Sequence, residues 1–173
     1  AERPISVVSG HAVDAAIRNG AVDVFSFTIE DLLTQTPLGQ GSTDETGRYS
    51  IELSAPSQHI ILRLSEGCYT EEASGKEVCL TAGEHLYAST FYESGQPITL
   101  MITPVTSIAH ALTLYKVRQG ENVQNAITES NTTIASLFGV DILNVFPRNV
   151  TDNTGGQFFN INEELKYGFL TAG

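Results

Sequence analysis

Residues 98–112 read ITLMITPVTSIAHAL, and the sequence pattern changes inside this stretch from that of a strand to that of a helix. Residues 98–102 form an apolar, β-branched run that is typical of a strand. Thr103 is a good helix N-cap, and Pro104 is favoured at the first helical position. The apolar residues that then recur at helical three- and four-residue steps are Val105, Ile108, Leu112 and Tyr115. The stretch therefore predicts that a β-rich part ends at residue 103 and that a helical part follows it.

Upstream of this boundary the pattern indicates about seven short strands separated by turns. Residues 49–53, YSIEL, alternate with period two and predict a half-buried strand. The Asn19-Gly20 dipeptide predicts a hairpin between strands at 13–17 and 21–27. Residues 34–47 are rich in Thr, Gln, Gly, Ser and Asp, and this composition predicts a loop.

Downstream of the boundary the sequence indicates about three helices. Gly120 supplies a stop for the first, and Gly139 supplies one for the second. Asn160 followed by Glu163 has the spacing of a capping box and predicts the start of a third.

These patterns together predict a mainly β fold with a C-terminal α segment. We expect a seven-stranded antiparallel Greek-key sandwich over residues 1–103 and the helices over residues 104–173. The length of 173 residues, with 41% hydrophobic and 17% charged residues, is that of a globular chain with a real core. No Gly/Ser spacer separates the two parts, so the helices are expected to pack on the sandwich.

The charge balance excludes some classes of partner. Nine basic residues stand against twenty acidic ones, a net charge of −11, and the basic residues are scattered singly. A protein that binds nucleic acid needs a basic face, so we expect no nucleic-acid partner. Attraction to an anionic membrane surface is disfavoured for the same reason. The sequence has no apolar run of the roughly 20 residues that a transmembrane helix requires.

Two cysteines, Cys68 and Cys79, flank a turn-like segment at residues 73–75. In a hairpin centred on that turn the two sulfurs would face each other and could form a disulfide, which implies an oxidising compartment. The alternative is a pair of free thiols in a cytosolic protein. A metal site is disfavoured because no histidine or second cysteine pair accompanies them.

Motifs that carry chemistry are lacking, and the sequence predicts no catalytic residue, cofactor or metal ion. The chain has no nucleophile elbow and no phosphate-binding loop. The histidines do not pair at ligand spacing, and ordinary surface or boundary positions are expected for His11, His59, His85 and His110. Residues 152–156 and Glu163 resemble part of a calcium loop, but Gln157 stands where an EF-hand requires glycine. A plain polar loop is favoured there, and calcium binding stays open.

Five segments resemble one family. They are residues 10–24 (GHAVDAAIRNGAVDV), 43–51 (TDETGRYSI), 67–75 (GCYTEEASG), 102–106 (ITPVT) and 138–142 (FGVDI). They are similar to segments of the carboxypeptidase-regulatory-like, or transthyretin-like, β-sandwich domains of bacterial envelope lipoproteins and surface proteins. The cysteines are not part of the general pattern, and the terminal Y-R-G-S of the hydrolases with this fold is absent.

The resemblance implies an exported chain in the periplasm, at the outer membrane or on the cell surface. The chain begins at Ala1 without an initiator Met, as a processed protein would, and a lipid anchor upstream fits the resemblance. The function expected first is a non-catalytic structural or interaction module with an unknown protein or cell-surface partner.

The second expectation is a module that binds carbohydrate or another cell-surface ligand through Tyr87, Phe91 and Tyr92. Exposure of these three rings on one face would favour binding, and their burial would favour the structural role. An enzyme is the third and weakest interpretation, to be reconsidered if a cleft brings histidine and carboxylate groups together.

Overall fold

The computed structural model describes residues 2–145, and within that range the chain forms nine strands and two helices. The strands are β1 (Ser6–His11), β2 (Ala21–Ser26), β3 (Gly39–Ser42), β4 (Arg48–Leu53), β5 (Gln58–Ser65), β6 (Cys68–Thr70), β7 (Glu77–Cys79), β8 (His85–Tyr92) and β9 (Ile98–Thr99). The helices are α1 (Pro104–Arg118) and α2 (Val123–Phe138). The prediction of a mainly β fold with helices on its C-terminal side is confirmed.

The strands form two sheets and a separate hairpin. One sheet has the order β4-β1-β9, the other has the order β3-β2-β5-β8, and β6 and β7 form the hairpin. The prediction of an entirely antiparallel arrangement is wrong at one place, because β1 and β9 are parallel. The chain reaches β9 after leaving the other sheet, so the direction of β9 is set by that crossover and not by a hairpin turn.

Both sheets contribute side chains to one hydrophobic core, as the two layers of a sandwich do. Val8 and Ile51 enter it from the three-stranded sheet, and Val24 and Leu62 enter it from the four-stranded sheet. Tyr49 is also buried there, and its hydroxyl donates to the Leu100 carbonyl oxygen at 2.7 Å. The polar end of this large ring is thus satisfied inside the core.

The predicted loop at residues 34–47 contains β3, and this partly explains why about seven strands were expected where the described chain has nine. Gly39 and Gly41 of β3 lie close to the neighbouring strand: a Cβ at Gly39 would come within 2.7 Å of Leu53, and one at Gly41 within 2.8 Å of Ile51. The glycines that indicated a loop are therefore required by the close approach of two strands.

The hairpin predicted at Asn19-Gly20 is also wrong. Residues 13–17 form turns and isolated bridges, and β2 pairs with β3 and β5 instead. Gly20 is needed for packing, because a Cβ there would lie 2.7 Å from Leu64. An Asn-Gly pair can mark a tight contact as well as a hairpin turn.

The helices begin and end where the sequence indicated. Thr103 caps α1 with a complete capping box, in which its side chain and that of Thr106 each bond the other residue's backbone. Asn122 caps α2, and Gly139 ends it in the left-handed conformation with φ 66°. Two helices are described; the third one predicted, from Asn160, lies outside the described residues. Neither described helix is long and apolar enough to cross a membrane.

Candidate functional site

The outer face of the four-stranded sheet, the side turned away from the core, carries a mixture of polar and aromatic side chains. Because alternate residues of a strand point to opposite faces, the pairing register fixes which residues lie there. They are Asp23 and Phe25 of β2, His59, Ile61, Arg63 and Ser65 of β5, and His85, Tyr87, Ser89 and Phe91 of β8. The register therefore joins three distant parts of the chain in one surface.

Five side chains form what we call the outer-face cluster: Asp23, Gln40, Arg63, His85 and Tyr87. Arg63 lies directly between Asp23 and Tyr87 in the register. One oxygen of Asp23 accepts a hydrogen bond from Gln40 at 2.7 Å, and the other accepts one from the Arg63 guanidinium at 3.0 Å. The charged side chains are only 11% and 13% exposed, so the two opposite charges are paired and largely withdrawn from water.

Arg63 is held from a second side by Phe25, whose ring centroid lies 4.9 Å from the guanidinium carbon. The Nε–H of Arg63 is buried and has no hydrogen-bond acceptor among residues 2–145. A buried ion pair with an unsatisfied donor stabilises a fold less than apolar packing of the same volume would. Stability alone therefore does not account for the cluster.

His85 and Tyr87 complete the cluster on the β8 side. The His85 Nδ1 shares a hydrogen bond of 3.0 Å with the Ser65 hydroxyl, and the two rings meet edge to face at 6.0 Å. Burial, assisted by the nearby Arg63 charge, lowers the pKa of His85, while burial raises the pKa of Tyr87. Both rings are therefore uncharged at neutral pH, and the cluster as a whole carries no net charge.

The two helices cover the open edge of the same sheet along β8. The Tyr87 backbone N–H donates to the Ser107 hydroxyl at 2.8 Å, and the Tyr87 carbonyl accepts from the Thr106 hydroxyl at 2.7 Å. Asn131 of α2 donates to the Ser89 carbonyl at 3.0 Å. An open edge would be a template for pairing with another chain, and these side chains occupy its backbone groups instead.

His110 docks α1 on this strand. Its Nδ1 shares a hydrogen bond with the Ser89 hydroxyl, and its ring stacks on Tyr87 with centroids 4.8 Å apart. The sequence predicted a surface position for His110, but this residue is only 4% exposed, because α1 turns it towards β8. Burial lowers its pKa to about 4, so the ring is neutral at neutral pH.

The Ser89–His110 pair has the composition of a nucleophile and its base, but both side chains are buried. A nucleophile has to reach its substrate, and this pair is closed off by the helix that it holds. We therefore interpret it as a docking contact between helix and sheet.

The structure separates the three rings that were predicted to face a ligand. Tyr92 is 0% exposed and lies in the core, where its hydroxyl bonds the Ser6 hydroxyl. Tyr87 and Phe91 share the outer face, with Tyr87 half-buried and Phe91 43% exposed. The Phe91 ring meets His59 edge to face at 5.3 Å. The structure thus places Tyr87 and Phe91 at separate positions on one face of the sheet and Tyr92 on the opposite face.

Cys68 and Cys79 face each other across the β6–β7 hairpin and form a disulfide. The hairpin is tied to the rest of the chain through Arg18, which exchanges two backbone hydrogen bonds with Cys68 and forms an ion pair with Glu77. The Glu77 carboxylate lies within 4.8 Å of both sulfurs. A metal ion would need thiolates, and bonded sulfurs do not provide them.

Asp23, Gln40 and Arg63 were not predicted as site residues, although the sequence contains a signal for two of them. Asp23 lies in the run AVDVF and Arg63 in the run IILRL, and both runs are otherwise strongly apolar. Charged residues are almost never deeply buried unless they are paired. An acidic and a basic residue in two apolar strands therefore indicate an ion pair between those strands. The calcium loop considered at residues 152–163 lies outside the described residues.

Comparison with known proteins identifies no family. No family model matches the chain, and no curated protein sequence matches it. A crystal structure of (S)-allantoin synthase is 8% identical, with a TM-score of 0.37, and the match covers 58% of this chain and 40% of that one. A DUF3823 family protein from Parabacteroides merdae ATCC 43184 is 13% identical, with a TM-score of 0.37. The match covers 60% of this chain and 48% of that one.

A third similar structure, a 9R-lipoxygenase from Cyanothece PCC8801, is 12% identical, with a TM-score of 0.32; the match covers 77% of this chain and 24% of that one. In each of the three cases the match spans less than half of the solved chain. Likenesses as distant as these carry no argument about activity or ligand.

Proposed function

We propose that this chain is a non-catalytic structural or interaction module of an exported bacterial cell-envelope protein, built on a transthyretin-like sandwich. One observation carries the proposal: α1 and α2 use side chains of their own to occupy the free backbone groups of β8. In this arrangement the aromatic surface of β8 serves helix docking, with Tyr87 stacked under His110. Because part of this surface is covered by the helices, the arrangement supports a structural role.

The disulfide supports export. Bonds of this kind persist in oxidising compartments and are rare in the cytosol. The bond between Cys68 and Cys79 joins the two strands of a short hairpin. A short two-stranded hairpin is marginally stable by itself, so its order depends on this bond, on the contacts of Arg18 and on the packing of Tyr69 against the core.

The test is the location and thiol state of the chain in the source cells. Cells are fractionated, free thiols are blocked with an alkylating reagent without reduction, and the chain is analysed by mass spectrometry. We expect the chain in the extracytoplasmic fraction with both cysteines unmodified by the reagent. Recovery from the cytosolic fraction with two alkylated cysteines would contradict the proposal.

A second candidate function, binding of carbohydrate or another cell-surface ligand, is favoured by the outer-face cluster. The cluster brings an imidazole close to a carboxylate, which was the condition for reconsidering an enzyme. Both oxygens of Asp23 are already engaged by Gln40 and Arg63, and no nucleophile belongs to the cluster. This arrangement suits recognition better than acid–base catalysis.

A further inference from the structure

We propose that the outer-face cluster binds a neutral sugar residue of a glycan. The inference rests on the second candidate function and names its site and ligand. The cluster contains a fixed carboxylate, a fixed guanidinium, an amide, an imidazole and a phenol on one sheet surface.

The hydrogen-bonding groups of the cluster match hydroxyl groups. A sugar hydroxyl both donates and accepts, so its site needs acceptors and donors side by side. The neutral His85 ring has one donor nitrogen and one acceptor nitrogen. Asp23 and Arg63 are only 11% and 13% exposed and bond each other, so they hold the site in shape. Gln40, an exposed residue on the next strand, adds an amide that is already oriented by Asp23. Groups held by one another lose little freedom when a ligand binds.

The charge of the cluster selects against ions. Asp23 neutralises Arg63, so the cluster has no unpaired cation for a carboxylate or phosphate ligand. The charges of Arg63 and Asp31 act on Tyr87 in opposite senses, and the whole chain carries a net charge of −11. The pairing of Arg63 and the net negative charge of the chain both disfavour anions. A neutral ligand is not repelled by this negative charge.

The rings of Tyr87 and His85 give the site an apolar wall. They meet edge to face and are both half-buried, so part of each ring is open to solvent, although His110 stacks on one face of Tyr87. A sugar presents C–H groups on the faces of its ring, and rigid aromatic side chains provide contact area for them at little entropic cost. The paired charges and the half-buried rings therefore form one small site with polar and apolar contacts.

The experiment is a titration of the disulfide-bonded chain, followed through the backbone amide shifts in two-dimensional NMR. The probes are cellotetraose, mannotetraose and chitotetraose at millimolar concentration, with tetragalacturonate as an anionic probe. We expect at least one neutral probe to shift the amides of residues 21–23, 63–65 and 85–87. The anionic probe should leave these amides unchanged.

Two variants and one matched control test the site. Gln40→Ala removes an exposed amide and His85→Ala a half-buried ring, and each should weaken binding of the neutral probe about tenfold, as expected for one lost hydrogen-bonding group. Ser50→Ala alters an exposed hydroxyl on the opposite sheet and should bind like the unaltered chain. Dispersed amide spectra establish that each variant is folded.

Three outcomes would overturn the inference: no shifts with any neutral probe, equal binding of tetragalacturonate, or unchanged affinity in both cluster variants. Shifts confined to the surroundings of His59 and Phe91 would keep a ligand-binding module but overturn this site. Absence of shifts from all probes, anywhere on the chain, would remove the second candidate function as well. The structural proposal would be unaffected, because it is tested by location and thiol state.

Discussion

The two faces of the four-stranded sheet are built on opposite principles. The inner face is mainly apolar, and seven of its side chains are 0% exposed: Val22, Val24, Ile60, Leu62, Leu64, Ala88 and Tyr92. The outer face alternates with it along the same strands and holds an ion pair, two histidines and a helix-docking tyrosine. The same backbone thus serves a core on one side and a set of specific polar contacts on the other.

The difference shows where stability comes from in this chain. Burial of apolar surface on the inner face is favourable without any requirement on direction. The outer face depends on geometry, because each buried polar group needs a partner at the right distance. We therefore expect the inner face to dominate the free energy of unfolding and the outer face to decide docking and recognition.

Truncation of the inner face should have the largest effect. Leu62→Ala removes a fully buried side chain between Val24 and Ala88 in the register, and should lower the free energy of unfolding by about 2–5 kcal/mol. Denaturant unfolding followed by circular dichroism measures the change. The control is Leu33→Ala, since Leu33 is 78% exposed and its loss should cost less than about 0.5 kcal/mol. Similar losses in the two variants would break the comparison.

Acid should weaken the outer face through His110, whose pKa falls from 6.5 to about 4 on folding. Above pH 6.5 the ring is neutral in both the folded and the unfolded chain. Between pH 6.5 and pH 4 only the unfolded chain binds the proton, so stability falls as the pH falls, by about 3 kcal/mol in all. Unfolding free energies measured across this range test the prediction.

The matched control for this titration is His110→Gln, which keeps a polar group near Ser89 but does not titrate. His11 and His85, whose pKa values are also lowered by burial, contribute to the slope in both proteins. The difference between the two pH profiles therefore isolates His110. Parallel profiles would show that His110 is not the buried, neutral docking group described above.

The sequence predicted the inner face better than the outer one for a physical reason. Burial of core-facing side chains follows from composition and period, as in YSIEL at residues 49–53 of the three-stranded sheet, and needs no knowledge of partners. The outer face depends on the register, which pairs Asp23 with Arg63 and Arg63 with Tyr87 across long stretches of chain. No local pattern contains that information.

The helix boundary and the glycines show the same division. Thr103-Pro104 marks a helix start through local capping chemistry, and α1 begins there. The glycines of β3 and Gly20 were misinterpreted because they are required by neighbours that are distant in sequence. Capping by residues adjacent in sequence could be predicted, whereas the close approach of strands that are distant in sequence could not.

The cap of α1 should have an intermediate effect on the outer face. Thr103→Ala removes the side chain that accepts from the Thr106 N–H at 3.2 Å, and should lower the free energy of unfolding by about 1 kcal/mol. Thr106 also donates to the Tyr87 carbonyl, so hydrogen exchange at the β8 edge should quicken. Thr103→Ser keeps the cap and serves as the control. Equal exchange rates in the two variants would show that the N-cap of α1 does not contribute to the docking of α1 on β8.

Exchange of the outer-face ion pair for apolar side chains should have the smallest effect on stability. In Asp23→Leu/Arg63→Met both charges disappear together, along with the unsatisfied Nε–H, so the free energy of unfolding should stay within about 1 kcal/mol of the unaltered value or rise. Arg63→Met alone is the control and should be clearly less stable, because Asp23 then lies buried without its partner. A large loss in the double variant would mean that the pair supports the fold as the inner face does. An unchanged fold that no longer binds a neutral tetrasaccharide would instead assign the pair to recognition.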